Sequence, residues 1–205
     1  MSNEFDVFEQ ARLFLPKYLS PEQTRDLYTE LSRFPNIDSF YLDREDLRGQ
    51  LLQGDGWRGF IAINFETGDR KLVSGVIISN SCDIATENPR NIPVNILFAP
   101  LINLARYVER LRASGKPEGQ IENILNSIRS QKVTSIFYLP GYPGVIDESL
   151  ILLDDIHAQP LGDFLGRERV GLFKLSQTFF YIFIIKLSIH FSRFNEDIQR
   201  FVSSG

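Results

Sequence analysis

The sequence predicts an α+β protein built on a small, strongly bent antiparallel sheet, which we expect to close into a barrel. Short apolar segments of strand character gather between residues 57 and 160. Segments with the apolar spacing of helices flank them, and two more interrupt them at residues 101–130. These observations divide the chain into an N-terminal helical segment (1–53), a barrel with a helical insertion (54–165) and a C-terminal helix packed on the barrel (166–205).

The N-terminal segment contains one clear helix start. Ser20 can cap a helix, Pro21 suits the first helical position, and Gln23 can complete a capping box. Apolar residues at helical spacing continue as far as Phe34. The remainder of the segment is predicted to be a connection with a short helix around Arg44–Leu52.

The barrel strands are predicted from apolar alternation and from short apolar runs between turn residues. They are Gly59–Phe65, Lys71–Ser79, Val94–Ala99, Val133–Leu139 and Ser149–Leu153. Between the third and fourth of these strands the apolar spacing becomes helical, in Leu101–Leu111 and around Ile121–Ile128. Gly115 and Pro117 break the pattern between the two, so we expect a helical hairpin inserted into the barrel.

The C-terminal part is the most apolar of the chain. Leu172–Phe194 is predicted to be one long apolar helix, with Phe179–Ile185 as its most apolar stretch. A membrane-spanning helix needs roughly 20 apolar residues, and Lys174 and Lys186 bracket this stretch too closely for that. We therefore expect a buried helix and no membrane span; a helix lying on a membrane surface is the alternative.

Charge and cysteine content limit the classes of function. The chain has 22 basic and 26 acidic residues and a net charge of −4, which excludes a chain-wide basic surface for nucleic acid but not a local patch. A single cysteine, Cys82, and no visible signal peptide predict a cytoplasmic protein without an internal disulfide. There is no DNA-binding signature, phosphate-binding glycine loop or paired-cysteine motif, so we expect no cofactor.

The order of the predicted strands, with a few residues on them, resembles the MazF/PemK-like toxin family of small β-barrels. That family opens with Gly-Asp before its first strand, and Gly54-Asp55 takes this place. Gly75–Ser79 resembles its apolar second strand ending in Ser, and Asn95–Pro100 a later strand ending in Ala-Pro. Ser149–Ile156 is similar to its Ser-led strand before an acidic stretch, and Pro160–Phe164 to its short closing helix.

The resemblance implies a toxin–antitoxin or phage-defence setting, and the departures from the family pattern bear on activity. Active members cut RNA with an Arg just before the second strand and a Ser or Thr just after the Ala-Pro strand. Here Ser74 and Ile102 stand at those positions. Arg70 and Lys71 lie upstream, and they reach the first position only if the register shifts. We therefore expect a MazF-like binding or regulatory component without ribonuclease activity. Its expected partner is a protein, and an RNA is possible. The sequence does not determine whether the chain forms an oligomer.

The alternative is a metal-independent endoribonuclease, similar to mRNA interferases, whose catalytic groups have moved. Arg70 and Asp83 are its catalytic candidates, and Arg58 is a further cation that can bind phosphate. A second group of candidates follows the buried second strand. These binding candidates are Asn80, Ser81, Cys82 and Asp83.

Each of these candidates also has a structural interpretation. Asn80 and Asp83 can bond nearby backbone groups and shape a turn. As a nucleophile Cys82 needs a base, and neither His157 nor His190 has a triad-like context, so a small buried hydrophobe is the favoured interpretation of Cys82. His190, inside an apolar helix, is predicted to be a partly buried packing residue.

Trp57 and Arg58 are binding candidates because an indole can stack on a base while a guanidinium binds phosphate. The structural alternative is a Trp that covers the end of the barrel. On the inserted hairpin, a modest basic face is the best local candidate for an acidic partner. It consists of Arg106, Arg110, Arg112 and Lys116.

Asp154, Asp155 and His157 carry side chains that suit a metal ion. Neighbouring residues of a strand point to opposite faces, so the three cannot converge. We expect a solvated strand end here and no metal site.

Overall fold

The computed structural model describes residues 20–22, 25, 29, 40–64, 66–88 and 91–192. Within the predicted first helix, Pro21, Glu22, Arg25 and Thr29 are helical, and the Thr29 hydroxyl donates to the Arg25 carbonyl over 2.9 Å. The other positions of that helix and the lead-in at residues 1–19 lie outside the described residues.

The described part of the chain contains eight strands, five α-helices and a 3-10 helix at Glu45–Leu47. The strands are β1 (Gly56–Ile63), β2 (Arg70–Ile77), β3 (Asn95–Pro100), β4 (Ile102–Asn103), β5 (Ile136–Leu139), β6 (Ser149–Leu152), β7 (His157–Pro160) and β8 (Val170–Phe173). The α-helices are α1 (Ser81–Ile84), α2 (Leu104–Ala113), α3 (Glu118–Arg129), α4 (Leu161–Leu165) and α5 (Gln177–Ser192).

Five of the strands form one antiparallel sheet in the order β7-β3-β2-β1-β8. A bulge interrupts the β1–β2 ladder at Gly59, which has φ +116°. A side chain there would also meet the Glu168 carbonyl oxygen at 2.8 Å, so the position requires glycine. Beyond the bulge the sheet curls far enough for β7, at one edge, to reach β1. There the Ile61 backbone N–H donates to the Gln159 side-chain oxygen over 3.0 Å.

The concave face of this sheet encloses an aromatic core. Phe60 stacks between Phe98 and Phe164, with ring centroids 4.2 and 4.4 Å apart. Phe164 and Leu161 come from α4, which closes one end of the curl. The short helix predicted at residues 160–164 is confirmed, one residue later than expected.

The other three strands form a second antiparallel sheet in the order β4-β6-β5. Its two faces contribute to two cores because alternate residues of β6 point to opposite sides. Ile151 packs with Val76, Ala99 and α5 in the largest core, whereas Leu150 packs with the α2–α3 hairpin. The predicted helical insertion is confirmed, with α2 and α3 covering one face of this small sheet.

The C-terminal apolar segment is not one helix from residue 172. Val170–Phe173 is strand β8, and α5 begins only at Gln177. The extended conformation places the Phe173 ring on Gly56, where an added Cβ would lie 2.3 Å from the ring. It also lets Ser176 donate its N–H to the Phe40 carbonyl. In the described residues, no helix has both the length and the apolar character that crossing a membrane requires.

The α+β class and the antiparallel pairing are therefore confirmed. The hydrogen-bonded strands of the described residues form two sheets rather than one closed barrel. A barrel of MazF type stays a prediction.

Candidate functional site

The polar cluster after β2 forms a capped turn into α1. The Asn80 side-chain oxygen accepts the Cys82 N–H over 2.9 Å, and its carbonyl accepts the Asp83 N–H over 3.0 Å. Asn80 is thus the N-cap of α1, which confirms its predicted role in shaping the turn.

Two serines attach this turn to its surroundings. The Ser81 hydroxyl accepts the backbone N–H of Gln53 over 2.9 Å, and the Gln53 side chain donates to the Ile78 carbonyl over 2.7 Å. The Ser79 hydroxyl accepts the Leu97 N–H from β3 over 2.8 Å. The end of β2 is therefore held from two sides, which makes it a rigid base for the loop.

An open cleft of about 570 Å³ lies over this turn; we call it the Cys82 cleft. Its walls are residues 49–52, Ser81, Cys82, residues 84–88, Leu165 and Arg169. Cys82 is exposed, so the expectation of a buried hydrophobe is wrong. The reason is local: Ile84, two residues later, fills the core at this turn and is 1% exposed.

Arg70 does not join this cleft. It opens β2, opposite Ile63, whereas Asp83 follows the other end of the strand. At about 3.3 Å per residue, the eight residues of β2 span roughly 23 Å between Arg70 and the end of the strand that leads into α1 and Asp83. Arg70 instead lies near Asp163. The pKa of that carboxyl is lowered by hydrogen bonds from Arg167 and Gln159, with a smaller effect of the Arg70 charge.

Ser74 and Ile102, which the resemblance aligns with the RNA-cleaving positions of the toxin family, lie close together in this fold. The Leu101 N–H donates to the Ser74 carbonyl over 2.8 Å, which brings Ile102 beside Ser74. Arg58 is the cross-strand neighbour of Ser74 in the β1–β2 ladder. Directly paired residues share one face of a sheet, so the exposed Arg58 side chain stands on the same face as Ser74.

Trp57 and Arg58 do not form a joint site. Trp57 is 6% exposed, and its ring meets Phe164 edge-on with centroids 6.3 Å apart. The packing interpretation of Trp57 is confirmed. Because consecutive strand residues point to opposite faces, Arg58 faces away from the indole.

A buried ion pair joins the Gly-Asp motif to the C-terminal part of the chain. The Lys174 ammonium donates to the Asp55 carboxylate and, over 2.9 Å, to the Gln50 carbonyl. Asp55 also accepts the Leu52 N–H over 3.2 Å. Burial raises the pKa of Asp55 from 3.8 to about 6, against the lowering effect of Lys174. The sequence showed Asp55 in its motif, but Lys174 was interpreted only as a flank of an apolar helix.

Next to this pair is a second opening, about 400 Å³ in volume, which we call the Trp57 cavity. Its lining is Leu42, Asp43, Arg44, Arg48, Trp57, Tyr142, Val145 and residues 171–174. The polar groups of the lining come from the 3-10 segment and from Lys174, and its aromatic groups from β1, β8 and the loop before β6. No sequence pattern pointed to this cavity because its walls come from four separate segments.

The remaining candidate residues lie at separate positions and do not form a common site. His157 contacts the Asp155 carboxylate over 3.0 Å and stacks on Phe98, while Asp154 and Asp155 are exposed as expected of a solvated strand end. His190 is half-buried beside Phe191, which confirms its packing role. Among the residues described, no three His, Cys, Asp or Glu side chains are grouped to hold a metal ion.

The basic face of the hairpin is exposed on α2. Arg112 binds Glu118 in bidentate fashion over 2.7 and 3.1 Å, and Arg106, Arg110 and Lys116 are solvent-accessible. Exposed pairs of this kind are screened by solvent and hold their side chains only weakly, so they leave the face available to a partner.

A comparison with models of known protein families finds no match to this chain, and neither does a comparison with curated proteins.

Proposed function

We propose that this chain is a MazF-like binding or regulatory component of a toxin–antitoxin or phage-defence system, and that it binds a partner without cleaving RNA. One observation carries the proposal: the candidate catalytic residue Arg70 begins β2, whereas Asp83 lies in α1, which follows the other end of that strand. Groups that act together on one phosphate must be within hydrogen-bonding reach of it. The whole of β2, roughly 23 Å of extended chain, lies between Arg70 and the turn that leads to Asp83, which is too long for that.

The Cys82 cleft supports binding as the main activity. Its volume of about 570 Å³ is within the range of ligand sites in proteins. Its floor is fixed by the Asn80 cap and the Gln53–Ser81 hydrogen bond, so little ordering is needed when a partner docks. The proposed partner is a protein, and an RNA is the second choice.

The test begins with purified protein and a defined RNA. We expect the RNA to remain intact over hours, and a partner protein to co-purify at a fixed ratio from native cells. Filling the cleft with Ala85→Trp should remove that partner, whereas Arg110→Ala on α2 should retain it. A partner that stays bound to folded Ala85→Trp would place the binding surface elsewhere.

The second candidate function is the endoribonuclease with relocated catalytic groups. The observation favouring it is the position of Arg58 directly opposite Ser74, beside Ile102. An arginine there can supply the fixed, multidentate cation that phosphate chemistry requires. Cleavage that is abolished by Arg58→Ala, or by Arg70→Ala or Asp83→Ala, and retained by Arg106→Ala would overturn the binding-only proposal.

A further inference from the structure

The first half of β2 has one edge that no described strand covers. The ladder between β2 and β3 ends at the pair Gly75–Pro100, and Pro100 has no N–H to donate. One more bond follows, from the Leu101 N–H to the Ser74 carbonyl over 2.8 Å. At Ile102 the chain enters β4, which pairs with β6 in the second sheet. Within the described residues, the part of β2 before Ser74 therefore has no partner strand on its β3 side.

The backbone groups of this edge point away from β1. The Ile77 N–H and carbonyl bond to residues 54 and 55, on the β1 side of the strand. Successive residues of a paired strand direct their backbone groups to alternate sides. Ser74 therefore faces β3, as the bond to its carbonyl requires, and Leu72 and Arg70 face the same side. The N–H and carbonyl groups of Leu72 and Arg70 are thus positioned to pair with an added strand.

Arg70 and Lys71 place a positive charge on each face of this edge. Both are exposed, and consecutive strand residues point to opposite faces. Neither forms an ion pair with a described residue. The Asp163 carboxylate, on whose pKa the Arg70 charge has a minor lowering effect, is bound by Arg167. The carboxylate of Asp69 accepts a hydroxyl of its own turn over 2.7 Å.

The next two residues of the edge are apolar. Leu72 is 68% exposed and Val73 is half-buried, again on opposite faces. An antiparallel strand along this edge would place two residues beside the cations and two beside the apolar pair. Cross-strand pairs of opposite charge, and pairs of apolar side chains, stabilise a sheet. A second copy of β2 would instead bring four cations into one short ladder, and like charges disfavour that pairing.

We propose that this edge of β2 binds an extended acidic segment of a partner protein by strand addition. The segment pairs its backbone with Leu72 and Arg70. Two of its carboxylates lie beside Arg70 and Lys71, and the two apolar residues before them lie beside Leu72 and Val73. In this mode of recognition the main-chain hydrogen bonds supply affinity and the side chains supply specificity. The surface is separate from the Cys82 cleft, which follows the other end of β2, so the inference goes beyond the proposed function.

The probe is a synthetic, end-capped peptide with the core Val-Val-Glu-Glu, titrated into isotope-labelled protein and followed by NMR. Without peptide, the Leu72 amide should exchange with solvent faster than the Val73 amide, which points toward β1. With peptide, saturable shifts should centre on Leu72 and Arg70, and the Leu72 amide should become protected. Two control peptides should each bind at least about tenfold more weakly. One has the core Val-Val-Lys-Lys, and the other is N-methylated at the second valine, opposite Leu72.

Variants of the protein separate strand addition from folding. Leu72→Pro removes an N–H that points outward, which an edge strand tolerates, and should weaken binding at least about tenfold. Leu72→Ala keeps that N–H and should weaken binding at most about fivefold, the contribution of one cross-strand pair. Arg70→Gln/Lys71→Gln should weaken binding of the acidic peptide at least about fivefold. The matched control, Arg106→Gln/Arg110→Gln on α2, should bind like the wild type.

Ala85→Trp, which fills the Cys82 cleft, should also bind the peptide like the wild type, so the two binding surfaces can fail independently. The methylated peptide and the glutamine variants decide the result even where Leu72→Pro does not fold. The proposal is overturned if up to about 1 mM peptide gives no saturable shift at Leu72 and Arg70, or if the methylated peptide binds equally well. Self-association of the protein through this edge would also overturn it. So would a short oligoribonucleotide that shifts Arg70 and Lys71 while the acidic peptide does not.

Discussion

Asp55 and Lys174 form an ion pair inside the protein although 119 residues separate them in the chain. Only 3% of Asp55 and 8% of Lys174 is exposed. Taking two charges out of water is costly, and the pair offsets that cost only while both partners and their backbone contacts are present. At the scale of single residues, this pair is where one substitution has the largest electrostatic effect.

We predict that Lys174→Met destabilises the protein by about 3–5 kcal/mol at pH 8, because an unpaired carboxylate is left buried. The loss should be smaller at pH 5. The pKa of Asp55 is already raised to about 6, and removal of the cation raises it further. The folded variant then binds a proton at pH values where the unfolded chain does not, so its stability falls as the pH rises above about 4.

Urea unfolding at the two pH values measures this difference. Lys71→Met, at an exposed position of β2, is the matched control and should be close to neutral. Asp55→Asn/Lys174→Met should restore part of the loss at pH 8. An equal loss at both pH values in Lys174→Met would contradict the buried-charge explanation.

At the scale of elements, α5 is joined to the end of α3 by a lysine that has no carboxylate partner among the described residues. The Lys186 Nζ lies within hydrogen-bonding distance of three oxygens: the carbonyl of Gln131 at 3.1 Å, its side-chain oxygen at 2.9 Å and the Ile136 carbonyl. Gln131 follows α3 with φ 57°, and its side chain also pairs with both backbone groups of Tyr138. These side-chain bonds explain why a residue other than glycine holds the left-handed position after the helix.

We predict that stability depends on pH through Lys186. Burial lowers the pKa of its amine from 10.5 to about 7. Between these values the unfolded chain binds a proton that the folded protein does not, so stability rises with pH. From pH 7 to pH 9 the wild type should gain on the order of 2 kcal/mol relative to Lys186→Met. Guanidinium unfolding across this range tests the prediction, with Lys116→Met as an exposed control; identical pH slopes in wild type and Lys186→Met would refute it.

How far the elements could be predicted depends on how local their signals are. β2, β3, β6 and both helices of the insertion follow from runs and spacings within a few residues, and each is found within a few residues of its predicted bounds. β4 has only two residues, and β7 has four, of which two are polar and the last is a proline. Neither strand is long enough to show an apolar alternation. β8 was merged into the following helix because Leu172 and Phe173 continue its apolar run. Only pairing with β1 makes that segment a strand.

The candidate site was predictable to a similar extent. The cap formed by Asn80 is local turn chemistry and was found from the sequence. The separation of Arg70 from Asp83 and the pairing of Asp55 with Lys174 depend on strand direction and on contacts between distant segments. The exposure of Cys82 depends on which neighbour, here Ile84, the core accommodates.

At the scale of the whole molecule, two sheets pack through a shared core, and one side chain joins the edge strand β7 of the larger sheet to β1. Gln159 is 3% exposed; its amide donates to Asp163 over 2.7 Å and accepts the Ile61 N–H over 3.0 Å. The curl of the sheet is thus completed by a side chain instead of a backbone ladder. β8 pairs with β1 only from Gly56 to Arg58, so the Gln159 contact lies on the part of β1 beyond it.

We predict that Gln159→Leu destabilises the protein by about 1–3 kcal/mol, because the Ile61 N–H loses its partner, whereas the Asp163 carboxylate keeps its contact with Arg167. Amide exchange at Ile61 should accelerate, while exchange at Val76, in the β2–β3 ladder, should change only with global stability. Gln120→Leu on the exposed side of α3 is the matched control. Unchanged protection of Ile61 would show that Gln159 does not hold the sheet ends together.

The same glutamine also affects which backbone groups of β1 are available to a strand from another molecule. Strand edges with unpaired backbone groups can recruit strands from other molecules and initiate aggregation. The part of β1 that extends past β8 ends at Ile63 and pairs with Leu72 of β2, and these side chains are 39% and 68% exposed. An unpaired strand edge therefore lies next to exposed apolar side chains. By accepting the Ile61 N–H, Gln159 removes one backbone donor that an added strand would need at this edge.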